Sequence, residues 1–389
     1  MAPPRLVLSG YFGFGNLGDE AILEATVASL RKHCPEVEIT ALMANPELAH
    51  SLAIQSVPRK SPWPVLRSLA GCDLLLSGGG GLLQDSTGPG SVFYYLGVCA
   101  LAKLLGKRVM FFCQGFGPVK SRSCQAAVRW LGNRLDLITL RDDQSADEMR
   151  QLGVKRPPLR VTADPALLLE PAPTARLREI LSQEGLSGEI GRLEGPTGRH
   201  PGVGPLVAVT VRPWPNLPLE AIAQALKEFR EREQARYLLI PFHPSKDREP
   251  SQRLVEALEG QAYLIKGDYA PREITGLLRC CDMVVGMRLH SLILACAAGI
   301  PLIGLSYDPK VERFCRRAGG LPLDLEEISS TRLVEALTHL LEGRAHQRRQ
   351  QQKCLEPMVN QAERSVQVAL SLAKGEPVST ALEILDASD

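Results

Sequence analysis

The sequence predicts an α/β protein of two parallel-sheet domains, and three observations carry that prediction. Short apolar strands alternate with amphipathic helices through the first half of the chain. A Pro-, Gly- and charge-rich stretch over 170–205 breaks the pattern, and the same alternation then resumes. With 389 residues, the chain exceeds what one ordinary hydrophobic core supports and suits two.

Taken in order, the first domain spans 1–170. A strand over 5–9 runs into a glycine-rich loop, and a helix follows over about 18–32. Strands are read at 37–42, 72–77, 108–113 and 135–140, with a helix starting near Ser91. Residues 171–205 are read as a junction carrying a mobile surface insertion. The second domain, 206–345, has strands at 206–211, 236–240 and 262–265, helices at 219–232 and 271–280, and the strand 283–285 leading to an apolar helix over 292–298. Two Rossmann-like domains are the economical account. A helical tail, 346–389, completes the chain. Its basic run, 344–353, reads as a solvated helix face, with docking on the anionic inner membrane surface as the alternative.

Composition excludes several classes. A formal net charge of +2 leaves no global footprint for nucleic acid. No apolar run reaches the roughly 18–20 residues needed to span a bilayer, so a soluble, unexported, cytoplasmic protein is expected. The ten cysteines are scattered in apolar runs without metal-ligand spacing; reduced thiols and no metal site are expected.

The strand ends hold the chemistry. Gly13, Gly15 and Gly18 make a formal GxGxxG, but Asp19 and Glu20 put negative charge where a pyrophosphate would sit, and the second strand ends without a ribose-binding acid. Asn16 and Asp19 are candidates for sugar hydroxyls, and a tight turn with Asp19 as a helix charge is the plain alternative. Four glycines, 78–81, end the next strand without a P-loop lysine. Gln84, Asp85 and, one strand later, Gln114 are further hydroxyl contacts, with capping as the alternative for the first two.

Positive charge gathers in the same places. Arg141 ends a strand, with a salt bridge to its neighbouring aspartates as its plain reading. Arg212 and His243 follow strands in the second domain. Arg288 and His290 open the helix after Gly286, where the N–H groups of Leu289 to Ser291 and the positive helix end attract anions. A planar guanidinium fork suits carboxylate or phosphate, and imidazole exchanges protons near neutral pH. The plain alternative is an arginine paired to an aspartate and a histidine satisfying a backbone carbonyl. These cations are expected to face one interdomain cleft.

Together, these blocks resemble the polysaccharide pyruvyl transferase family, most of all its CsaB-type branch. The marks are residues 10–21, 78–85 with Ser91, Tyr94 and Tyr95, 114–118, Arg141 with Asp142 and Ser145, 162–166, Arg212 with Trp214, 241–243 with Asp247, and 287–291. The resemblance implies a GT-B-like pair of domains, helices at the C-terminus crossing back to the first domain, and a donor side in the second domain with the acceptor side in the first. It implies transfer of pyruvate from phosphoenolpyruvate onto a sugar or lipid-linked glycan of a cell-surface polysaccharide, as a ketal, without a cofactor. Arg288, His290 and Arg141 map onto the donor site. Arg212, Leu289 and Ser291 are added to it as anion contacts, with His290 as the first choice of proton carrier, His243 as the second, and Asp85 or Asp19 as possible bases toward the acceptor. A nucleotide-sugar glycosyltransferase, with Asp308 on the ribose, and a noncatalytic carbohydrate-binding protein are the competing readings.

Overall fold

The computed structural model describes residues 2–85, 88–193 and 204–387. The glycine-rich segments 195–198 and 201–203 of the predicted insertion lie outside the described residues. Two compact units form: Met1–Phe14, Asp19–Leu168 and Met358–Asp389 make one, and Gly15–Gly18 with Leu169–Pro357 makes the other.

The first unit is built on a seven-stranded parallel sheet of β1 (Arg5–Phe12), β2 (Glu38–Met43), β3 (Gln55–Pro58), β4 (Leu74–Gly78), β5 (Arg108–Gln114), β6 (Leu137–Leu140) and β7 (Leu159–Val161). Their order is β3-β2-β1-β4-β5-β6-β7. Successive side chains point to opposite faces, so Val7 of β1 joins a core with Leu75, Val109 and Leu69, while Leu6 and Leu8 join one with Leu76, Met110, Leu23 and Val27. Full burial of each such Leu or Val is worth about 1.5–3 kcal/mol, which is why near-continuous apolar runs mark these strands.

The C-terminal helices complete that second core, as expected of a tail that returns to the first sheet. Val366, Leu370 and Ala381 pack there. They come from the helix Ser330–Ala373, which contains Pro357 at the border of the two units, and from Val378–Asp386. Three polar ties hold the tail: Glu363 to Lys32 and His33 at 2.8 Å each, Arg108 to the carbonyls of Leu372 and Gly375, and Arg160 to Asp386 at 2.7 Å.

The second unit carries a six-stranded parallel sheet of β8 (Leu206–Thr210), β9 (Arg236–Leu239), β10 (Ala262–Leu264), β11 (Met283–Gly286), β12 (Leu302–Ser306) and β13 (Leu321–Asp324), ordered β10-β9-β8-β11-β12-β13. In each sheet the strand order reverses once, between β1 and β4 and between β8 and β11, and such a switch point opens a crevice at the carboxyl ends of its strands.

Two readings change with the structure. The predicted junction contains a helix, Thr174–Gln183, whose Leu177, Ile180 and Leu181 are buried, and a 3-10 stretch, Ser187–Leu193. Burial follows from charge pairing: Arg192 meets Glu189 at 2.8 Å and Asp282 at 2.7 Å, and Asp282 also accepts from Leu206 N–H at 2.9 Å. The basic run 344–353 is not a uniformly solvated face. Arg344 lies 3.5 Å from the same Asp282, burial lowers the pKa of Arg348, and the buried Gln351 donates to the carbonyl of Ile300. That inward half weakens the reading as a membrane-docking patch. Among the described residues, no helix is long and apolar enough to cross a membrane.

Removing one partner of a buried ion pair leaves the other charge uncompensated, at a cost of about 3–5 kcal/mol. Asp282→Ala, which strips the counter-charge from Arg192 and Arg344, is expected to lower the urea midpoint of the full chain by a corresponding margin. An unchanged midpoint would show that the network is dispensable.

Candidate functional site

In the second unit, the sequence places functional groups at the ends of β8 and β11, the two strands of the switch point. Met287 N–H donates to the carbonyl of Thr210 at 2.9 Å, so the two strands stay paired to their last residue before each chain turns away. Arg288 then stands as N-cap of the helix Leu289–Ala297 with extended backbone. Its side chain makes a two-pronged pair with Asp247, through Nε to Oδ2 at 2.9 Å and through Nη2 to Oδ1. Asp247 is fully buried and also accepts the backbone N–H of His243 at 2.9 Å. The plain reading of Arg288, an arginine paired to an aspartate, therefore describes one edge of its fork. The Nη1 group remains outside that pair.

His243 caps the helix Pro244–Ala257, and its Nδ1 lies 3.1 Å from Ser245 Oγ. Burial lowers its pKa from the ordinary 6.5, and the positive charges of Lys246, Arg288 and Arg212 push the same way against Asp247. The neutral ring is thus favoured near pH 7, and Nε2 lies outside the contact with Ser245. Arg212 completes the group. Its Nη1 donates to Tyr307 Oη at 2.8 Å, its guanidinium lies 5.0 Å from the Tyr307 ring and 5.7 Å from Trp214, and its buried Nε has no hydrogen-bond partner. A buried guanidinium N–H without an acceptor is costly unless a ligand supplies one.

His290 lies in the first turn of the helix, against the segment Gly15–Gly18. Leu17 N–H donates to the carbonyl of Phe242 at 3.0 Å, and a Cβ on Gly18 would fall 2.3 Å from His290 Nδ1. The last glycine of the formal GxGxxG thus makes room for an imidazole. Ser291 is fully buried and internally engaged: its N–H and Oγ both donate to the Arg288 carbonyl, at 3.0 and 2.6 Å, and Oγ meets Thr210 Oγ1 at 2.7 Å. Of the N–H groups expected to serve an anion from Leu289 to Ser291, that of Ser291 is already bonded. Ser291 holds the turn.

In the first unit, the loops after β1 and β4 flank the other switch point. The Asp19 carboxylate sits under the glycine run, where a Cβ on Gly80 would lie 2.5 Å from Oδ1. In the segment Gly15–Gly18, which belongs to the second unit, Asn16 Oδ1 accepts from Gly18 N–H at 3.3 Å. Gln84 is half-buried beside Asp85. Both Asp85 oxygens accept from Lys120 N–H at 2.9 Å, and one also from Ser121 N–H at 2.6 Å, so its carboxylate organises the loop. Gln114 is buried and donates to the carbonyls of Gly80 and Gly115 at 2.7 Å each, which fixes two loops to each other. Arg141 is buried against Asp164 at 2.9 Å, with Asp142 further off at 3.9 Å. The partner predicted from adjacency is thus the weaker one.

Sequence reasoning missed an aromatic cluster here. Tyr11 and Phe14 stack at 4.1 Å, and the guanidinium of Arg59 lies 4.1 Å from Tyr94 and 5.2 Å from Phe14 and Tyr95. Arg59 follows β3, a short half-exposed edge strand that leaves almost no periodic signal. Among the described residues no group of three or more His, Cys, Asp or Glu side chains is arranged to hold a metal ion.

The family model for polysaccharide pyruvyl transferase matches residues 16–309. No protein of curated function matches the chain. Among solved structures, a putative UDP-N-acetylglucosamine 2-epimerase from Listeria monocytogenes is similar with a TM-score of 0.65 and 14% identity, covering 95% of this chain and 96% of that one. The Neisseria meningitidis UDP-GlcNAc 2-epimerase bound to UDP-GlcNAc gives 0.60 and 12%, covering 96% and 100%. A glycosyltransferase from Rickettsia africae gives 0.57 and 12%, covering 99% and 100%. At these identities the likeness speaks for the fold, which is of the GT-B-like class.

A histidine whose folded pKa is depressed adds stability that is complete above its ordinary value of 6.5 and is lost as pH falls through the lower folded value. His243 is expected to titrate below 6.5 by NMR, and Lys246→Met to raise that value. His243→Gln should shrink the loss of urea midpoint between about pH 7.5 and about pH 5.5. A titration at or above the ordinary value would overturn this account.

Proposed function

Because this chain belongs to the polysaccharide pyruvyl transferase family, we propose that it moves pyruvate from phosphoenolpyruvate onto a sugar of a cell-surface polysaccharide or its lipid-linked precursor, forming a ketal and releasing phosphate. The observation that carries this reading is the grouping of Arg212, Arg288 and Lys246 around His243, with the buried Nε of Arg212 awaiting an acceptor.

Phosphoenolpyruvate carries a charge of roughly −2.5 to −3 near neutral pH, given a phosphate second pKa of about 6. Arg212 and the Nη1 edge of Arg288 grip its anionic groups. The pairing with Asp247 pre-orients Arg288, so that little side-chain freedom is lost when the donor arrives. A proton delivered to the methylene carbon turns it into a methyl group and leaves an oxocarbenium-like centre at C2. One sugar hydroxyl adds there and gives up its proton. The carbon–oxygen bond to phosphate then breaks, the arginines neutralise the departing dianion, and the second hydroxyl closes the ketal.

His290 delivers the first proton in this reading, and neutral His243 accepts protons from the hydroxyls. Asp19, Asn16 and Gln84 contact the acceptor, while Asp85 and Gln114 set the loops that carry them. The nucleotide-sugar alternative relied on Asp308 for a ribose. That carboxylate holds Lys310 N–H with Oδ1 at 2.9 Å, and Asp324 and Glu326 share its cavity, so a nucleoside diphosphate meets negative charge there.

Phosphoenolpyruvate at one hundred times its Kd stabilises a folded protein by about 2.7 kcal/mol, so it should raise the melting temperature where a nucleotide sugar does not. Arg212→Ala should abolish that shift. His290→Ala should keep the shift and lower turnover by about 10²- to 10⁴-fold, and Gly18→Ala, which crowds the same imidazole, should lower turnover in the same direction. Near wild-type turnover in His290→Ala would end its role as proton carrier, and a shift produced only by a nucleotide sugar would end the donor assignment.

A further inference from the structure

A cavity opens in the second unit past the ends of β12 and β13. It has a volume of about 430 Å³, and Trp214, Ser306, Tyr307, Asp308, Asp324 and Glu326 are among its walls. Trp214 and Tyr307 form one side, with ring centroids 4.5 Å apart and planes tilted by 53°. Trp214 is 38% exposed, the most covered of the three tryptophans, and keeps part of its indole accessible. Arg212 sets the platform by bonding Tyr307 Oη and lying near both rings.

The opposite side is acidic. Of the charged residues lining the cavity, Arg316 is matched by Glu312 at 2.9 Å, and Arg332 turns to Glu327 at 2.8 Å. The carboxylates of Asp308, Asp324 and Glu326 remain, and Asp308 and Asp324 each hold one backbone N–H with Oδ1. Ser306 Oγ is buried without a hydrogen-bond partner. A pocket with excess negative charge repels phosphate and carboxylate, so the donor and nucleoside diphosphates are disfavoured here. Carboxylates and a hydroxyl facing an aromatic wall instead match a pyranose, whose C–H face lies on the rings while its hydroxyls donate to the acids.

We propose that this cavity binds neutral sugar rings of the acceptor glycan, beside the donor group at β8, β9 and β11. That the sugar belongs to the acceptor rests on the transferase reading above; that the cavity takes a neutral saccharide does not. The proposal adds Trp214, Tyr307 and Asp324 as specificity-determining residues. It also gives Arg212 two duties, one toward the donor anion and one in orienting the sugar platform.

The full chain carrying Trp63→Phe and Trp130→Phe keeps Trp214 as its sole indole, so its fluorescence reports this cavity. Titration with cellobiose, lactose and N,N′-diacetylchitobiose should give a saturable change with at least one of them. Asp324→Asn should weaken that binding by about tenfold, as loss of a charged acceptor for a substrate hydroxyl does. The same variant should leave the melting shift from phosphoenolpyruvate unaltered. The inference is overturned if no disaccharide gives a saturable change, if Asp324→Asn leaves the affinity intact, or if UDP binds more tightly and displaces the sugar. Sugar binding here without any shift from phosphoenolpyruvate would instead remove the donor reading and leave this cavity's assignment standing.

Discussion

The second unit's chemistry hangs on one buried carboxylate. Asp247 receives both prongs of Arg288 and the backbone N–H of His243, so it joins the end of β9 to the end of β11 across the intervening β8. A fully buried aspartate is tolerable only when its oxygens are filled, and here three donors fill them. The two cap residues are therefore set by the same anion. The salt bridge fixes the direction of the Arg288 group, and Arg212 and Lys246 add positive charge around His243.

The same principle operates at the far edge of that sheet. Asp282 at the start of β11 holds Arg192, Arg344 and the N–H of Leu206, and Glu189 adds Arg236. At one end of the sheet Asp282 and Glu189 are shared among Arg192, Arg236 and Arg344, and at the other Arg212, Arg288 and Lys246 stand around His243 beside a switch point. The sheet edge also separates two chemistries: positive groups follow β8, β9 and β11, and an acidic aromatic cavity follows β12 and β13.

Several elements are legible in the amino-acid sequence. β1, β4, β5, β8 and β11 announce themselves as apolar runs ending in glycine or a polar residue, because a parallel strand covered on both faces has no polar side to show. Three of the four edge strands, β3, β7 and β13, do not, since Gln55, Arg160 and Asp324 sit in short half-exposed segments, while β10 is read at 262–265. The helix Thr174–Gln183 is hidden by flanking prolines and charge. Its apolar residues make sense only against the helix Pro271–Arg279, where Leu177 fills the space that Gly276 leaves open.

By itself, the sequence determined which residues stand at strand ends, because strand length and the placement of glycine are local properties of the chain. It therefore supplied Arg212, His243, Arg288 and His290 as candidates, together with the family they resemble. Tertiary structure decided which of them share partners. That Asp247 serves two caps, that Arg141 meets Asp164 rather than its neighbour Asp142, and that Ser291, Asp85 and Gln114 are engaged internally all depend on contacts between segments distant in the chain. Pairing energies at such sites arise from geometry and burial, and neither is encoded in the spacing of residues along one strand and its loop.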